Sequence, residues 1–246
     1  MGKKDHRGYH PLRSIFQAVS LYDELHIERA SELSFTCDDP AVPAENTVVR
    51  AARLMMEVVD FPPVAIHLVK RIPSEAGLGG GSSDAAGIIR ASKSLMSAAL
   101  PDYERKAIAK SIGADVAFFL LSGRARAEGY GDKLTPVPSP EPTEWYVIAQ
   151  PEDRCGTKEA YDRLDAMDYE WREFPDDDVL YNDFERVAPC GSLDLMERLQ
   201  VHGAKDAGLT GSGSAVFGRF LTEDEARKAE AKMQSEAPFV AVAHSL

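Results

Sequence analysis

Cysteine is scarce in this chain. Its three cysteines, Cys37, Cys155 and Cys190, are odd in number and widely spaced, with no C-x-x-C pair. That speaks against a disulfide framework or a cysteine zinc site and for reduced thiols in a cytoplasm. Long apolar runs are lacking too. The longest, Val116 to Leu121, is far too short to cross a bilayer, and the N-terminal residues form no apolar signal region. Basic residues are in deficit: a net charge of −12 and a pI near 5.0 argue against nucleic acid or an anionic membrane as partner, since both need a basic face. Two familiar phosphate-binding loops are missing as well. No lysine follows the glycines as a P-loop requires, and Ser82 stands where the dinucleotide fingerprint needs its third glycine. Internal repeats and low-complexity tracts are absent.

What the sequence does have is one stretch, Pro73 to Gly87, reading P-S-E-A-G-L-G-G-G-S-S-D-A-A-G. Before it, V-A-I-H-L-V-K-R-I (64–72) alternates as a strand does. After it, Ile88, Ile89, Ser92, Leu95 and Met96 recur at helical spacing. Strand, glycine loop and helix in that order form an anion site. Glycines let backbone N–H groups converge on a ligand, and the helix N-terminus adds roughly half a positive charge. The serines that follow can bond phosphate oxygens or ligate magnesium. The alternative, a flexible glycine linker, would not be bounded by a strand and an alanine-rich helix.

The 246 residues suffice for one large domain or two small ones, and 44% of them are apolar. Ser14 to Glu28 reads as two strands broken near Tyr22-Asp23, with a short strand over Leu33–Thr36. Asn46 caps a helix with Val48, Ala52, Met55 and Val59 on one face. A helix opens at Pro101-Asp102 and ends near Gly113, and residues 122–134 form a hairpin. Four prolines between 136 and 142 mark the best domain boundary, giving domains 1–138 and 139–246. The second half reads as a strand (145–149), a helix capped by Thr157, and an acidic loop at Asp176–Asp178. Then come a helix opened by Asn182, another through Val201, a glycine turn at 208–218, a helix with a Thr222/Glu225 capping box, and a closing strand at Phe239–His244. Strands with segregated helices imply an α+β sandwich. Taken alone, Asp115 is a helix N-cap before an apolar run and T-G-S-G (210–213) a turn of no particular specificity. His6 and His10 have metal-ligand spacing, but Gly8 and Pro11 argue against the helix it needs.

The pattern P-x-x-x-G-L-G-(G-G)-S-S-x-A-A resembles the phosphate loop of the GHMP kinases, the small-molecule kinases that include galactokinase, homoserine kinase and mevalonate kinase. The doubled glycines, G-Y-H (8–10), F-Q-A-V-S-L-Y-D-E-L (16–25), N-T-V-V-R-A-A-R-L (46–54) and N-D-F-E (182–185) are similar to one branch, whose acceptor is a cytidylated methylerythritol. The resemblance implies a two-lobed α+β fold, with an S5 domain 2-like N-terminal lobe and a ferredoxin-like C-terminal lobe. It also implies transfer of the ATP γ-phosphate to the 2-hydroxyl of 4-diphosphocytidyl-2-C-methyl-D-erythritol. The alternatives are a homoserine- or mevalonate-type kinase, or a nucleotide-binding paralogue with impaired catalysis. By the same resemblance, Pro73, Ser74, Glu75, Ala76, Gly77, Leu78, Gly79, Gly80, Gly81, Ser82 and Ser83 wrap the ATP phosphates, with Glu75 pointing away from them. Ser83 is the magnesium ligand. Asp115 is the catalytic base, and Asn46 and Lys70 line the adenine side. Tyr9 and His10 hold the cytosine, Thr157 lies near the substrate, and Gly211, Ser212 and Gly213 close over the transferring phosphate. The expected partners are ATP, Mg2+ and this small molecule, in a monomer or homodimer, without nucleic acid or membrane.

One feature departs from the family. Its members begin with a strand carrying A-K-x-N-L, whose lysine bonds the catalytic aspartate. No such strand precedes Tyr9 here, and Lys3 and Lys4 sit too close to it to stand in. The expectation is a true start upstream or a truncated chain, with one sheet edge left unpaired; the alternative is the impaired paralogue.

Overall fold

The computed structural model describes residues 1–167 and 179–246, so the acidic run Asp176–Asp178 lies outside the described residues. Along the chain come β1 (Leu12–Gln17), β2 (Glu24–Arg29), β3 (Ser34–Cys37), α1 (Thr47–Val58), β4 (Val64–Val69), α2 (Gly80–Leu95), α3 (Asp102–Ile112) and α4 (Ala114–Leu121). They are followed by β5 (Arg124–Gly129), β6 (Lys133–Pro136), β7 (Trp145–Gln150), α5 (Thr157–Asp165) and a 3-10 turn at Asp183–Arg186. The chain closes with α6 (Cys190–Val201), β8 (Asp206–Leu209), β9 (Val216–Phe220), α7 (Glu223–Met233) and β10 (Phe239–His244).

These elements divide between two compact units. A helical unit comprises Tyr22–Ser74 and Gly79–Ser122; a sheet unit comprises Met1–Leu21, Glu75–Leu78 and Gly123–Leu246. The prolines at 136–142 lie inside the sheet unit, between β6 and β7. The sheet unit thus includes β1, β5 and β6 from before residue 138, while the buried residues of the two larger cores, one around α1, α2 and β4 and one around β7, α6 and α7, lie on opposite sides of that residue.

In the helical unit, β4 is the central strand, antiparallel to β2 and parallel to β3. Val64, Ile66 and Leu68 alternate onto one face and are buried there, as the strand period of two demands. That face meets α1 and α2 through Val48, Ala52, Met55, Ala85, Ile88 and Ile89. The alanines of α2 let α1 approach closely. At Gly87 even a Cβ would overlap the Leu25 side chain. Asn46 caps α1 as expected: its Oδ1 accepts from the N–H groups of Val48 and Val49 at 2.8 and 3.1 Å.

In the sheet unit, β1, β5 and β6 form an antiparallel three-stranded sheet with β1 and β6 at its edges. The other sheet has the order β10-β7-β9-β8, all antiparallel. With the connectivity strand–helix–strand–strand–helix–strand, this is the ferredoxin-like arrangement expected for the C-terminal half. Val147 and Ala149 of β7 face one core, shared with Leu164, Leu195, Leu199 and Met233 of the helices. Tyr146 and Ile148 face a second, smaller core that contains Ala76, Ala215 and Ala243. The central strand is thus buried on both faces, which is why W-Y-V-I-A is an unbroken apolar run. Thr222 and Glu225 form the reciprocal capping box of α7.

Candidate active site

The glycine stretch contributes residues to both units. In the helical unit, Gly79 takes the left-handed conformation (φ 69°) and acts as the N-cap of α2. The N–H groups of Ser82 and Ser83 fold back onto the Gly79 carbonyl at 3.0 and 2.9 Å. A helix leaves its first N–H groups without intrahelical acceptors, so those of Gly79 to Gly81 remain for a ligand. The positions must be glycine for packing reasons as well. A Cβ on Gly79 would sit 2.8 Å from the Phe119 ring, one on Gly80 3.0 Å from Lys70 Nζ, and one on Gly81 2.9 Å from Thr47 Oγ1. Ser83 Oγ donates to the Gly80 carbonyl at 2.7 Å, which commits its proton and leaves its lone pairs for a cation.

Beneath this turn lies a buried charge cluster. Lys70 Nζ bonds Asp23 Oδ2 and, at 2.9 Å, Asp84 Oδ2; the three side chains are 7%, 2% and 4% exposed. Asp23 Oδ1 also accepts from the N–H groups of Arg71 and Ile72 at 2.6 and 2.8 Å. Two of the three protons of the Lys70 ammonium are thus directed at carboxylates. Likewise Asn46 spends its oxygen on the α1 cap and its Nδ2 on the Pro43 carbonyl at 2.8 Å. Its replacement by alanine is expected to cost about 1 kcal/mol of stability, read from urea unfolding. A fall in ATP affinity without that loss would instead mark an adenine contact. Burial pushes the Asp84 carboxyl up; the Lys70 ammonium opposes this and Asp23 reinforces it. For Lys70, burial works downward but Asp84 and Asp23 outweigh it, and the net shift is up. Taken as a simple pair, the two shifts disagree about whether the ionised form is favoured. The second carboxylate reconciles them, because one ammonium cannot neutralise two.

Asp115 is in the first turn of α4, but it is not the cap. Gly113, in extended conformation, holds that place, and Asp115 is the second helical residue. The residue is exposed at the surface while neighbouring atoms crowd its carboxyl, and among the described residues no hydrogen bond or ion pair engages it. Partial desolvation raises its pKa from the ordinary 3.8. One helical turn further on is Phe119, whose ring lies against Gly79. Residues four apart share a helix face, so Asp115 is on the side of α4 that meets the cap of α2.

In the sheet unit, Glu75–Leu78 interlocks with the T-G-S-G turn. The N–H groups of Ser214 and Ala215 donate to the carbonyls of Glu75 and Ala76, both at 3.2 Å, and Thr210 Oγ1 donates to the Gly77 carbonyl at 2.9 Å. Both glycines at the crossing are left-handed: φ is 70° at Gly77 and 54° at Gly211. Glu75 is left-handed too (φ 55°). Its carboxylate turns toward Gly156, where an added Cβ would lie 3.8 Å from Glu75 Oε1. Thr157 is the first residue of α5, with Gly156 rather than Thr157 as cap; its hydroxyl pairs with that of Ser212 at 3.0 Å.

Tyr9 and His10 have opposite environments. Tyr9 is 64% exposed and edge-on to Tyr130; His10 is 6% exposed. His10 Nδ1 donates to the Gly2 carbonyl at 3.0 Å, Nε2 lies 2.8 Å from Asp165 Oδ1, and the ring stacks on Tyr161. The side chain of His10 is thus committed internally, and Tyr9 is the member of the pair with a free aromatic face. The hydrogen bond from Tyr130 holds the Asp5 carboxyl well below its usual range; Asp5 also accepts from the Tyr9 N–H at 3.2 Å and so fixes the turn that presents Tyr9.

Four residues with no role assigned from the sequence hold these segments. Asp23 and Asp84 belong to the buried cluster. Gln150, ending an apolar strand, donates to the Glu75 carbonyl and to Ser214 Oγ, both at 3.3 Å. Asn182 donates to the carbonyls of Leu209 and Gly211 at 2.9 and 2.8 Å and so supports the T-G-S-G turn. A lone buried polar residue in an apolar strand was the available signal for Gln150, and N-D-F-E was that for Asn182. Among the described residues, no group of three or more histidine, cysteine, aspartate or glutamate side chains is placed to hold a metal ion. No described helix is long and apolar enough to cross a membrane.

A left-handed glycine cap at a helix N-terminus, with an uncommitted carboxylate on the neighbouring helix, is an arrangement suited to phosphoryl transfer. A model of the GHMP kinase N-terminal domain matches residues 46–123, and one of the GHMP kinase C-terminal domain matches residues 192–238. Fold and site together are those of a small-molecule kinase of the GHMP class. A protein of Pelobacter propionicus named 4-diphosphocytidyl-2-C-methyl-D-erythritol kinase is 36% identical over 257 residues, covering 97% of this chain and 91% of its own length. One of the same name from Polaromonas naphthalenivorans is 35% identical over 243 residues, covering 88% of this chain and 80% of its own. A crystal structure of 4-(cytidine 5'-diphospho)-2C-methyl-D-erythritol kinase superposes with a TM-score of 0.83 at 31% identity, over 98% of this chain and 92% of that one. Homoserine kinase of Cytophaga hutchinsonii, at 18% identity, 94% and 88% coverage and a TM-score of 0.73, shares the fold. The chain belongs to the family of 4-diphosphocytidyl-2-C-methyl-D-erythritol kinases, within the GHMP kinases.

Proposed function

We propose that this kinase transfers the γ-phosphate of ATP to the 2-hydroxyl of 4-diphosphocytidyl-2-C-methyl-D-erythritol, an early step in isoprenoid precursor synthesis. The observation that carries this reading is identity of about a third, over nearly the whole chain, to kinases named for that substrate. The exposed Tyr9 favours a substrate that carries a base, because an acceptor without one gives an aromatic face nothing to stack on.

The N–H groups of the glycine turn hold the triphosphate, aided by the positive end of α2. Asp115 accepts the proton of the acceptor hydroxyl as its oxygen bonds to the γ-phosphorus. The bond from that phosphorus to the β-phosphate oxygen breaks, and ADP leaves. A loose transition state asks for alignment and charge stabilisation more than for a strong base, and an ionised aspartate suffices. Mg2+ supplies charge neutralisation on the phosphates when bound; Ser83 Oγ, with its lone pairs uncommitted, fits as a ligand. Tyr9 stacks on the cytosine, with His10 behind it holding the G-Y-H turn. Thr157 and Ser212 offer paired hydroxyls to the acceptor side, and Gly211 to Gly213 close over the phosphate being moved. The enzyme works in the cytoplasm as a monomer or homodimer, without nucleic acid.

ADP release measured with a panel of acceptors tests the reading. Turnover with the cytidylated methylerythritol, and none with homoserine or mevalonate, is the expected result. Turnover with either of the latter reassigns the substrate. ATP binding without turnover on any acceptor makes the chain a silent nucleotide-binding member.

A further inference from the structure

The Asp23–Lys70–Asp84 cluster joins three segments that are distant in sequence. Asp23 lies just before β2, Lys70 just after β4, and Asp84 in α2, one residue beyond the paired serines. Its contacts are directed at the approach to the glycine turn. Asp23 Oδ1 takes the N–H groups of Arg71 and Ile72, the two residues before Pro73. Asp38 Oδ1 takes the N–H of Lys70 itself at 2.8 Å. The ammonium rests against the first turn of α2 at Gly80, where a Cβ would come within 3.0 Å of it.

As a stabilising device this arrangement is poor. Burying three charges costs several kcal/mol per ion, and apolar residues of similar volume are often as stable or more so. Two carboxyl groups share one ammonium, so the cluster brings no surplus positive charge to a site meant for an anion. What the cluster does supply is geometry. Directional bonds from one ammonium to the strand end and to the helix fix the axial register of α2 against β4, which apolar contacts, being non-directional, do not. The N–H groups of Gly79 to Gly81 must converge on phosphate oxygens within a few tenths of an ångström to be useful.

We infer that Asp23, Lys70 and Asp84 are positioning residues that hold the α2 N-terminus in register with the end of β4 and thereby set the affinity for the phosphates of ATP. This rests on the reading of the glycine turn as the triphosphate site. In that role each acts through the backbone of residues 71–72 and 79–81.

The test separates register from stability. The double variant Asp84→Leu/Lys70→Met replaces the ion pair with apolar groups and keeps the packing volume. Asp84→Asn keeps an acceptor toward Lys70. For each variant, thermal unfolding, the affinity for a non-hydrolysable ATP analogue, the KM for ATP, the KM for the acceptor and kcat are measured. The double variant is expected to fold, with nucleotide affinity and KM for ATP worse by 10-fold or more and the acceptor KM within 2-fold of wild type. Asp84→Asn is expected to restore the KM for ATP to within about 3-fold. A double variant with altered melting but unchanged analogue affinity overturns the inference and leaves the cluster a fold element only. Gly79→Ala is the control for the underlying reading: if it binds the analogue as wild type does, the glycine turn is not the phosphate site, and both claims fall. If Gly79→Ala loses affinity while the double variant keeps it, the phosphate site stands and the positioning role is lost.

Discussion

Replacing Asp115 by asparagine is expected to lower kcat by about 10^3-fold while nucleotide affinity stays within a few-fold of wild type. In the role proposed for Asp115, the substitution removes a proton acceptor and almost nothing else, because the carboxylate forms no hydrogen bond or ion pair with the described residues. The same isolation fixes the pH behaviour. Desolvation raises the carboxyl above 3.8, and the proposed base must be ionised, so the acid limb of kcat is expected at higher pH than an ordinary aspartate would give. In Asp115→Asn that limb is absent from the residual rate. Stability should move the other way. A raised folded-state pKa contributes stability below the unfolded value and loses it as pH climbs through the folded value. At neutral pH the wild type therefore holds a disfavoured charge. Asp115→Asn should melt at or slightly above the wild-type temperature at pH 7, and the difference should vanish below about pH 3.8. Near-normal turnover in a folded Asp115→Asn protein would remove Asp115 from the chemistry. A loss of kcat accompanied by a fall in melting temperature would mark it as a structural helix-start residue instead.

The parts of this molecule that could be read in advance are those fixed by local rules. Asn46 at the start of α1 and the Thr222/Glu225 box at the start of α7 are decided within four residues, and both form as the sequence implies. Strand β4, the glycine turn and α2 follow from a change of period from two to 3.6 across a run of glycines. Strand β10 is met at the residues expected, Phe239 to His244. Errors of one or two residues appear where two caps compete. Gly113 and Gly156, not Asp115 and Thr157, precede their helices, because a glycine in extended conformation can enter the first turn without a side-chain cap. Contacts that link remote segments could not be read. Nothing near Asp23 announces Lys70, 47 residues on, and nothing near His10 announces Asp165. Both partners lie in stretches whose local pattern is complete without them. Composition likewise marks where a chain turns but not which strands return to the same sheet, as β1 and β5 do across more than a hundred residues.

The crossing of Gly77 and Gly211 should be the least tolerant backbone position among the glycines. At Gly77 an alanine Cβ would overlap the Thr210 carbonyl oxygen and stand 2.9 Å from the Gly213 N–H nitrogen. At Gly211 it would come 2.7 Å from the Gly77 carbonyl oxygen. Backbone atoms cannot rotate away as a side chain can, so relief requires the two segments to part. Parting them breaks the Thr210–Gly77 and Ala215–Ala76 hydrogen bonds. Gly203 separates the clash from the cost of conformation. It is also left-handed (φ 99°), but nothing lies within 4 Å of its missing Cβ. Gly203→Ala should therefore lose only the conformational penalty, about 1–2 kcal/mol, and keep full activity. Gly77→Ala and Gly211→Ala should each lose on the order of 4 kcal/mol and nearly all turnover, with the KM for ATP beyond measurement in whatever folds. Because each glycine clashes with the backbone of the other's segment, the two losses should not add. Once either alanine has forced the segments apart, the second meets open space, and the double variant should be no worse than the more damaged single one. Full additivity in urea unfolding would mean that the segments are held elsewhere, and that the crossing is a contact rather than the hinge on which the phosphate loop depends.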